Sequence, residues 1–100
     1  MPTGKSPAGS PTDRAVELLA KVYVTPKVAI LDPQGKAVAS SLKSLGYEEV
    51  TDVRQGKYIV VRLVASDRER ARARVREMCE KLLVNLVIED FEFDLEDVRA

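Results

Sequence analysis

The stretch most suggestive of a binding or catalytic site is Asp32-Pro33-Gln34-Gly35, which follows a short apolar run. Free amides at a helix start attract anions such as phosphate, so these residues could form a phosphate cradle. Asp32 argues against it, because its carboxylate would compete for the same amides and repel the anion. Asp32 instead suits a helix N-cap, and Pro33 suits the first helical position. The sequence therefore favours a helix start over a phosphate site.

Two other groups carry reactive or ligating side chains. Cys79 is the single cysteine, and it lies on the apolar stripe of a predicted helix in a chain that has no histidine to activate it. A buried structural thiol is therefore expected. Asp90, Glu92 and Asp94 alternate along a predicted strand, where their spacing is too wide for one compact cation cage. These patterns predict no catalytic centre, no metal site and no cofactor.

Composition indicates one small domain. The 100 residues include 45% hydrophobic types, and 16 basic residues balance 16 acidic ones. The zero net charge disfavours a general nucleic-acid binder, which needs a basic footprint. The sequence has neither an apolar run of membrane length nor a signal-like N-terminus, so we expect a cytoplasmic protein. Residues 1–12 are rich in Pro, Gly and Ser and predict a disordered tail before a single domain over residues 13–100.

Hydrophobic periodicity and turn signals define the elements that must position these residues. Gly46 fits the left-handed position after the first helix, and Gly56 fits the positive φ of a tight hairpin. Ser66 and Glu69 fit a capping box that starts a second helix. The predicted elements are strands at 18–25, 49–54, 57–65 and 87–95, and helices at 33–45 and from 66 to about 84.

The element order β-α-β-β-α-β predicts an α+β two-layer sandwich. A four-stranded, mainly antiparallel sheet would carry both helices on one face, in a ferredoxin-like arrangement. Tyr58 and Val60 make the other face less polar than a solvated one, which indicates contact with a partner. The arginines of 68–77 predict a solvated, partly ion-paired helix face rather than a nucleic-acid contact.

Four segments, in this order, resemble the PurS family. They are KVYVTPK (21–27), LDPQGKAV (31–38), LGYEEVTDVRQGKYI (45–59) and MCEKLLVNLVIEDFEF (78–93). The family comprises small subunits of phosphoribosylformylglycinamidine synthase, an ATP- and glutamine-dependent ligase of purine biosynthesis. The resemblance implies a subunit without catalytic residues of its own. It would bridge the PurQ glutaminase and the PurL synthetase for ammonia transfer, and would form a dimer or tetramer with itself.

The resemblance also suggests which residues contact partners. They match the family's motifs and fall on turns or element ends, where binding groups are common. They are Asp32, Pro33, Gln34, Gly35, Gly56, Lys57 and Tyr58. Asp32, Pro33 and Gly56 also have local backbone roles, whereas Lys57 is expected to form an ion pair with a partner.

Two other classes of function stay open on the sequence. One is a small-molecule-binding regulatory domain of ferredoxin-like architecture, and the other is an RNA-binding module. The RNA-binding class is weakened because Phe91 and Phe93 are predicted on the apolar face of a strand whose other face is acidic. A protein with neither membrane nor nucleic acid among its partners is expected.

Overall fold

A computed structural model describes residues 15–98, so the predicted tail at 1–12 lies outside the described residues. The elements are β1 (Val16–Pro26), α1 (Pro33–Ser44), β2 (Lys57–Ala65), α2 (Arg68–Met78) and β3 (Glu89–Asp97). A π-helical turn over Cys79–Leu83 extends α2.

The sheet has three antiparallel strands in the order β2-β1-β3. Alternate residues of β1 are buried on the inner face, as period-2 patterning predicts. In the register, Val22 lies between Ile59 of β2 and Phe93 of β3. The buried core comprises Leu18, Ala20, Val22, Val24, Ala71, Val75, Cys79, Val84 and Leu95.

Helix α2 covers the inner face and closes this core. Ala71, Val75 and Cys79 recur at helical spacing and are fully buried. On the side toward β3, the guanidinium groups of Arg72 and Arg76 lie 5.9 and 5.7 Å from the ring centroid of Phe93. Arginine thus contributes aromatic packing as well as charge to this side of α2.

The start of α2 differs from the predicted capping box by one residue. Asp67 is the N-cap, and its carboxylate accepts a hydrogen bond from Arg70 N at 2.8 Å. The capping-box pattern predicts Ser66 as the cap, but aspartate is an equally good capping residue one position nearer the helix.

The prediction that both helices lie on one face of the sheet is wrong. Helix α1 forms where expected, but within residues 15–98 it does not pack along the sheet or α2. Its only buried residue is Gly35. The described chain is accordingly elongated, with extents of 58 × 31 × 23 Å.

The fourth strand, predicted at 49–54, is also absent from the described chain. Its apolar residues, Val50 and Val53, are three apart, so they cannot share one face of a strand. Gln55 N donates to the Asp32 carboxylate instead of entering a ladder. The segment 45–56 therefore returns from α1 to β2 as irregular chain, and we call α1 with this segment the arm.

The outer face of the sheet is left open within the described residues. Tyr23 and Tyr58 stack there with ring centroids 5.2 Å apart. Val60 is 49% exposed beside them. On β3 the same face carries Asp90, Glu92, Asp94 and Glu96, of which Asp90 pairs with Lys27 and Glu96 with Lys21. On β1 and β2 the same face also carries the ion pair of Glu17 with Arg62. We call this surface, which combines the apolar side chains of β1 and β2 with the acidic row of β3, the open face.

Candidate functional site

The two predicted groups of partner-contacting residues meet at one end of the sheet. Asp32–Gly35 start α1 just after β1, and Gly56–Tyr58 start β2 beside the end of β1. Residues 52–55 lead into the second group; Gln55 bonds to Asp32 of the first group, and Arg54 bonds to the end of β1. We call this region the junction; it is the base of the arm.

Asp32 is the hub of the junction. One carboxylate oxygen accepts from Gly35 N at 3.0 Å, which is the predicted cap, and the other accepts from Gln55 N at 2.8 Å. The hydrogen bonds from Gln55 N and then Gly35 N stabilise the charged form and lower the pKa of this carboxyl below 3.8. Asp32 therefore ties the start of the arm to its end, and each of its carboxylate oxygens already accepts a hydrogen bond within the chain.

Two glycines allow the chain segments of the junction to approach closely. A Cβ at Gly35 would lie 2.6 Å from an Asp32 carboxylate oxygen and closer still to the carbonyl oxygen of Val53. A Cβ at Gly56 would lie well under 3.0 Å from the carbonyl oxygen of Val24. The predicted positive φ at Gly56 is wrong. Among the described glycines, Gly46 is the one with a positive φ, at 104°. Gly56 is needed for space and not for a hairpin turn.

Arg54 is a junction residue that the sequence did not predict. Its guanidinium donates to the carbonyl oxygens of Pro26, Lys27 and Val28, with 2.7 Å to that of Lys27. These carbonyls follow the last β1 residue that pairs with β2, so β2 offers them no hydrogen-bond donor. A guanidinium group has five N–H donors and can bond to several carbonyl oxygens at once. An arginine followed closely by glycine gives no local signal of this role, since its acceptors lie 26 to 28 residues earlier in the chain.

The remaining predicted residues line the exposed side of the junction. Gln34 Oε1 accepts from Gln55 Nε2 at 3.0 Å. Lys57 Nζ lies 3.7 Å from Glu89 Oε2, with 51% of the lysine side chain exposed. Lys57 therefore has a partner within the chain, although so long a contact holds a half-exposed lysine only weakly. Tyr58 points onto the open face, where it stacks on Tyr23.

The described residues hold no arrangement typical of catalysis. No group of His, Cys, Asp and Glu side chains could hold a metal ion in the part of the chain described. Cys79 is fully buried, and burial raises the pKa of its thiol, which agrees with a structural thiol. None of the described helices is long and apolar enough to cross a membrane.

Comparison with known families gives a match over nearly the whole described chain. Residues 19–97 match the family model PurS, described as phosphoribosylformylglycinamidine (FGAM) synthase. The phosphoribosylformylglycinamidine synthase subunit PurS of Bacillus subtilis is 52% identical over 80 residues, which are 80% of this chain and 94% of that protein. The corresponding subunit of Methanocaldococcus jannaschii is 34% identical over 80 residues, or 80% of this chain and 96% of that protein.

Solved structures agree with this match. Thermus thermophilus PurS superimposes with a TM-score of 0.75 at 33% identity, covering 83% of this chain and 99% of that one. Bacillus subtilis PurS gives 0.70 at 51% identity, covering 79% and 98%. A chain of the structure of PurLQS from Thermotoga maritima gives 0.72 at 28% identity, covering 82% and 98%.

Proposed function

The chain belongs to the PurS family of phosphoribosylformylglycinamidine synthase subunits, and from this we propose that it assembles with a PurL synthetase and a PurQ glutaminase. The observation that carries the proposal is its similarity, over 82% of its length, to a chain of the PurLQS structure of Thermotoga maritima. The comparisons thus favour a synthase subunit over the regulatory-domain and RNA-binding alternatives.

The role of the subunit is to bridge the two enzymes so that ammonia passes between them without escaping to water. This role needs surfaces and not catalytic groups. It agrees with a junction whose strongest acceptor, Asp32, is occupied within the chain. It also agrees with a thiol, that of Cys79, which burial keeps away from any substrate. The assembly would work in the cytoplasm, without membrane or nucleic-acid partners and without a cofactor held by this subunit.

The exposed side of the junction is the surface through which the chain contacts these enzymes. Its residues belong to a rigid frame, because Asp32, Arg54 and the close approach at Gly56 lock α1 and β2 together. On that frame Gln34 and Lys57 present an amide and an ammonium group to solvent. A partner carboxylate can pair with Lys57 from the solvent side, because its contact with Glu89 is 3.7 Å long and half of the lysine side chain is exposed.

The chain also associates with itself, as a dimer or a tetramer. The open face supports this, because Tyr23, Tyr58, Val60 and Val64 are each between 41% and 67% exposed on neighbouring strands. Exposed apolar side chains that adjoin one another are typical of an interaction surface. Light scattering of the isolated subunit would measure the state, and a monomer at micromolar concentration would contradict self-association.

Assembly is tested with the three proteins from one source. The chain is mixed with PurL and PurQ in the presence of glutamine and nucleotide, and the mixture is separated by size-exclusion chromatography. Co-elution of all three is expected. A chain that elutes apart from both enzymes under every one of these conditions would contradict the proposal.

A further inference from the structure

The outer edge of β3 has no neighbouring strand within the described residues, because β3 pairs with β1 on its other side. At the two ends of the β1–β3 pair, Lys27 N donates to Ile88 O, and Val98 N donates to Glu17 O. Backbone groups of a paired antiparallel strand point to alternate sides. The even-numbered residues of β3 therefore bond to β1, and the odd-numbered ones point their N–H and C=O groups outward. We call this outward row of backbone groups the β3 edge.

Phe91 and Phe93 form the part of the β3 edge that is available for pairing. Farther along the strand the edge is already in use, since the Arg68 guanidinium donates to Leu95 O. In the part of the chain that the structure describes, the outward groups of Phe91 and Phe93 make no such contact. Both the N–H and the C=O of each phenylalanine can therefore pair with an added strand.

A row of arginines borders this part of the edge on the helix side. Arg68, Arg72 and Arg76 recur every four residues along α2 and so share one side of the helix; we call them the arginine row. The Arg72 guanidinium lies 5.9 Å from the ring centroid of Phe93, and that of Arg76 lies 6.0 and 5.7 Å from those of Phe91 and Phe93. Such contacts use the flat face of a guanidinium group and leave its N–H donors available to a carboxylate.

The charges of the arginine row are not balanced nearby. Within residues 15–98 neither Arg72 nor Arg76 is in an ion pair. On the opposite face of the strand, Glu92 and Asp94 are exposed, and they too lack an ion pair among the residues described. The β3 edge is thus bordered by positive charge on the helix side and by negative charge on the open face.

This charge pattern disfavours the chain itself as the occupant of the edge. Two β3 edges paired antiparallel about a two-fold axis would bring arginine row beside arginine row and acidic row beside acidic row. Like charges opposite one another destabilise a strand pair. Residues 1–12 are no better suited, since they include no acidic side chain and three prolines, which cannot donate to a ladder.

We propose that the β3 edge binds an extended segment of PurL or PurQ as an added strand, in which acidic and basic side chains alternate. Side chains that lie opposite one another in a strand pair share a face. Segment residues opposite Phe91 and Phe93 therefore point toward the arginine row and are acidic. The residue between them points to the open face, beside Glu92, and is basic. In this mode of binding the backbone gives affinity and the alternate side chains give specificity.

The inference rests on the proposed function, because one of the two enzymes supplies the segment. Hydrogen exchange at single-residue resolution tests it. In the isolated subunit the amides of Phe91 and Phe93 should exchange quickly, and those of Glu92 and Asp94, which bond to β1, should exchange slowly. Each enzyme is then added in turn. With one of them the amides of Phe91 and Phe93 should slow by about tenfold or more.

Two results would overturn the inference while leaving assembly intact. Slow exchange of Phe91 and Phe93 in the isolated subunit would show that the edge is already occupied by a second copy or by residues of the same chain. Fast exchange of both amides in a complex that co-elutes would show that the enzymes bind elsewhere. If no complex forms with either enzyme, the proposed function fails together with the inference.

A charge reversal gives a second test. Arg72→Glu changes the arginine row, and Arg70→Glu is the matched control, because it makes the same change in net charge on an exposed residue outside the row. Arg72→Glu should raise the Kd for the enzyme that protects the edge by about tenfold or more, and Arg70→Glu by less than about twofold. Both variants should keep the circular dichroism of the parent chain. Equal affinities of the two variants would overturn the inference.

Discussion

Replacing Gly56 by alanine tests the close approach that holds the junction together. Gly56 has no positive φ, so alanine can adopt its backbone conformation. By lowering the conformational entropy of the unfolded chain, alanine alone would raise the free energy of unfolding by about 0.4–1 kcal/mol. The added Cβ, however, would meet the carbonyl oxygen of Val24 well under 3.0 Å away, with Thr25 Cα at 3.1 Å. Both are backbone atoms of the central strand, and they cannot swing aside as a flexible side chain can.

The expected result is a net loss of stability. Overpacking costs about 1–3 kcal/mol, and backbone atoms on the other side of the contact place Gly56→Ala near the upper end of that range. After subtraction of the gain from the unfolded state, the loss is about 2 kcal/mol. For a domain of this size that is a fall in Tm of roughly 8–16 °C. Urea denaturation measures the loss in the free energy of unfolding, and one fixed protein concentration keeps the contribution of oligomerisation constant.

The matched control is Gly46, where the reason for glycine is different. Gly46 has φ 104°, and a Cβ there would meet nothing within 4 Å. Gly46→Ala should cost about 1–2 kcal/mol from backbone strain alone. Asparagine tolerates positive φ, so Gly46→Asn should recover most of that loss, whereas Gly56→Asn should be at least as damaging as Gly56→Ala. A loss below about 0.5 kcal/mol for Gly56→Ala, the range of ordinary surface changes, would refute the reasoning.

Three further predictions concern individual side chains. An asparagine at position 32 can cap α1 but has one side-chain oxygen where aspartate has two, so Asp32→Asn should lower the Tm. The pKa of Asp32 is depressed in the folded chain, so the difference in Tm between parent and variant should be complete above pH 5. It should shrink as the pH falls below about 4. Lys57→Glu should weaken co-elution with PurL and PurQ without a large change in Tm. Lys57→Gln removes the charge without reversing it and should have the smaller effect. If the parent and both variants co-elute with the enzymes equally well, Lys57 is not part of the contact surface. Cys79 should react with a thiol reagent at a negligible rate in the folded chain and quickly in urea, since its side chain is fully buried and its pKa is raised; rapid reaction without denaturant would contradict its place in the core.

The sequence predicted those features of the fold that depend on local signals. Asp32 and Gly46 mark the ends of α1 as expected, because capping and left-handed termination each need one suitable residue in one place. The hydrogen bonds after α1 follow the Schellman pattern, from Gly46 N to Lys43 O and from Tyr47 N to Leu42 O. The alternating pattern of β1 likewise predicts its buried face.

The errors concern long-range packing. The pattern of residues 49–54 predicts a strand, but their conformation is decided by Asp32, which is 23 residues from Gln55, and by the carbonyls that Arg54 binds, 26 to 28 residues away. The predicted packing of α1 on the sheet is wrong for a related reason, since it too depends on contacts distant in the chain. Its apolar stripe indicates that a surface should cover it, but the pattern does not say whether that surface belongs to the same chain. Glu89 shares its strand face with the apolar Phe91 and Phe93, and its carboxylate accepts a hydrogen bond from Asn85 N and pairs with Lys57.

The seven predicted partner-contacting residues lie at the junction, a proximity that the sequence did not predict because the two groups are more than 20 residues apart in the chain. Local signals assigned roles to Asp32 and Pro33, and the structure confirms Asp32 as the cap of α1 and Pro33 as its first residue. The role of Gly56 was assigned wrongly, because a glycine that turns the chain and a glycine that makes space look alike in a sequence. Whether these residues contact other subunits is a property of surfaces outside this chain.

The most direct test of the central claim is glutamine-dependent activity of the reconstituted enzyme. PurL and PurQ are assayed with and without this chain, using first glutamine and then ammonia as the nitrogen source. If the chain couples the two enzymes, glutamine-driven product formation should require it, while ammonia-driven formation by PurL should continue in its absence. Full glutamine-driven activity without the chain would contradict the claim that it bridges the glutaminase and the synthetase.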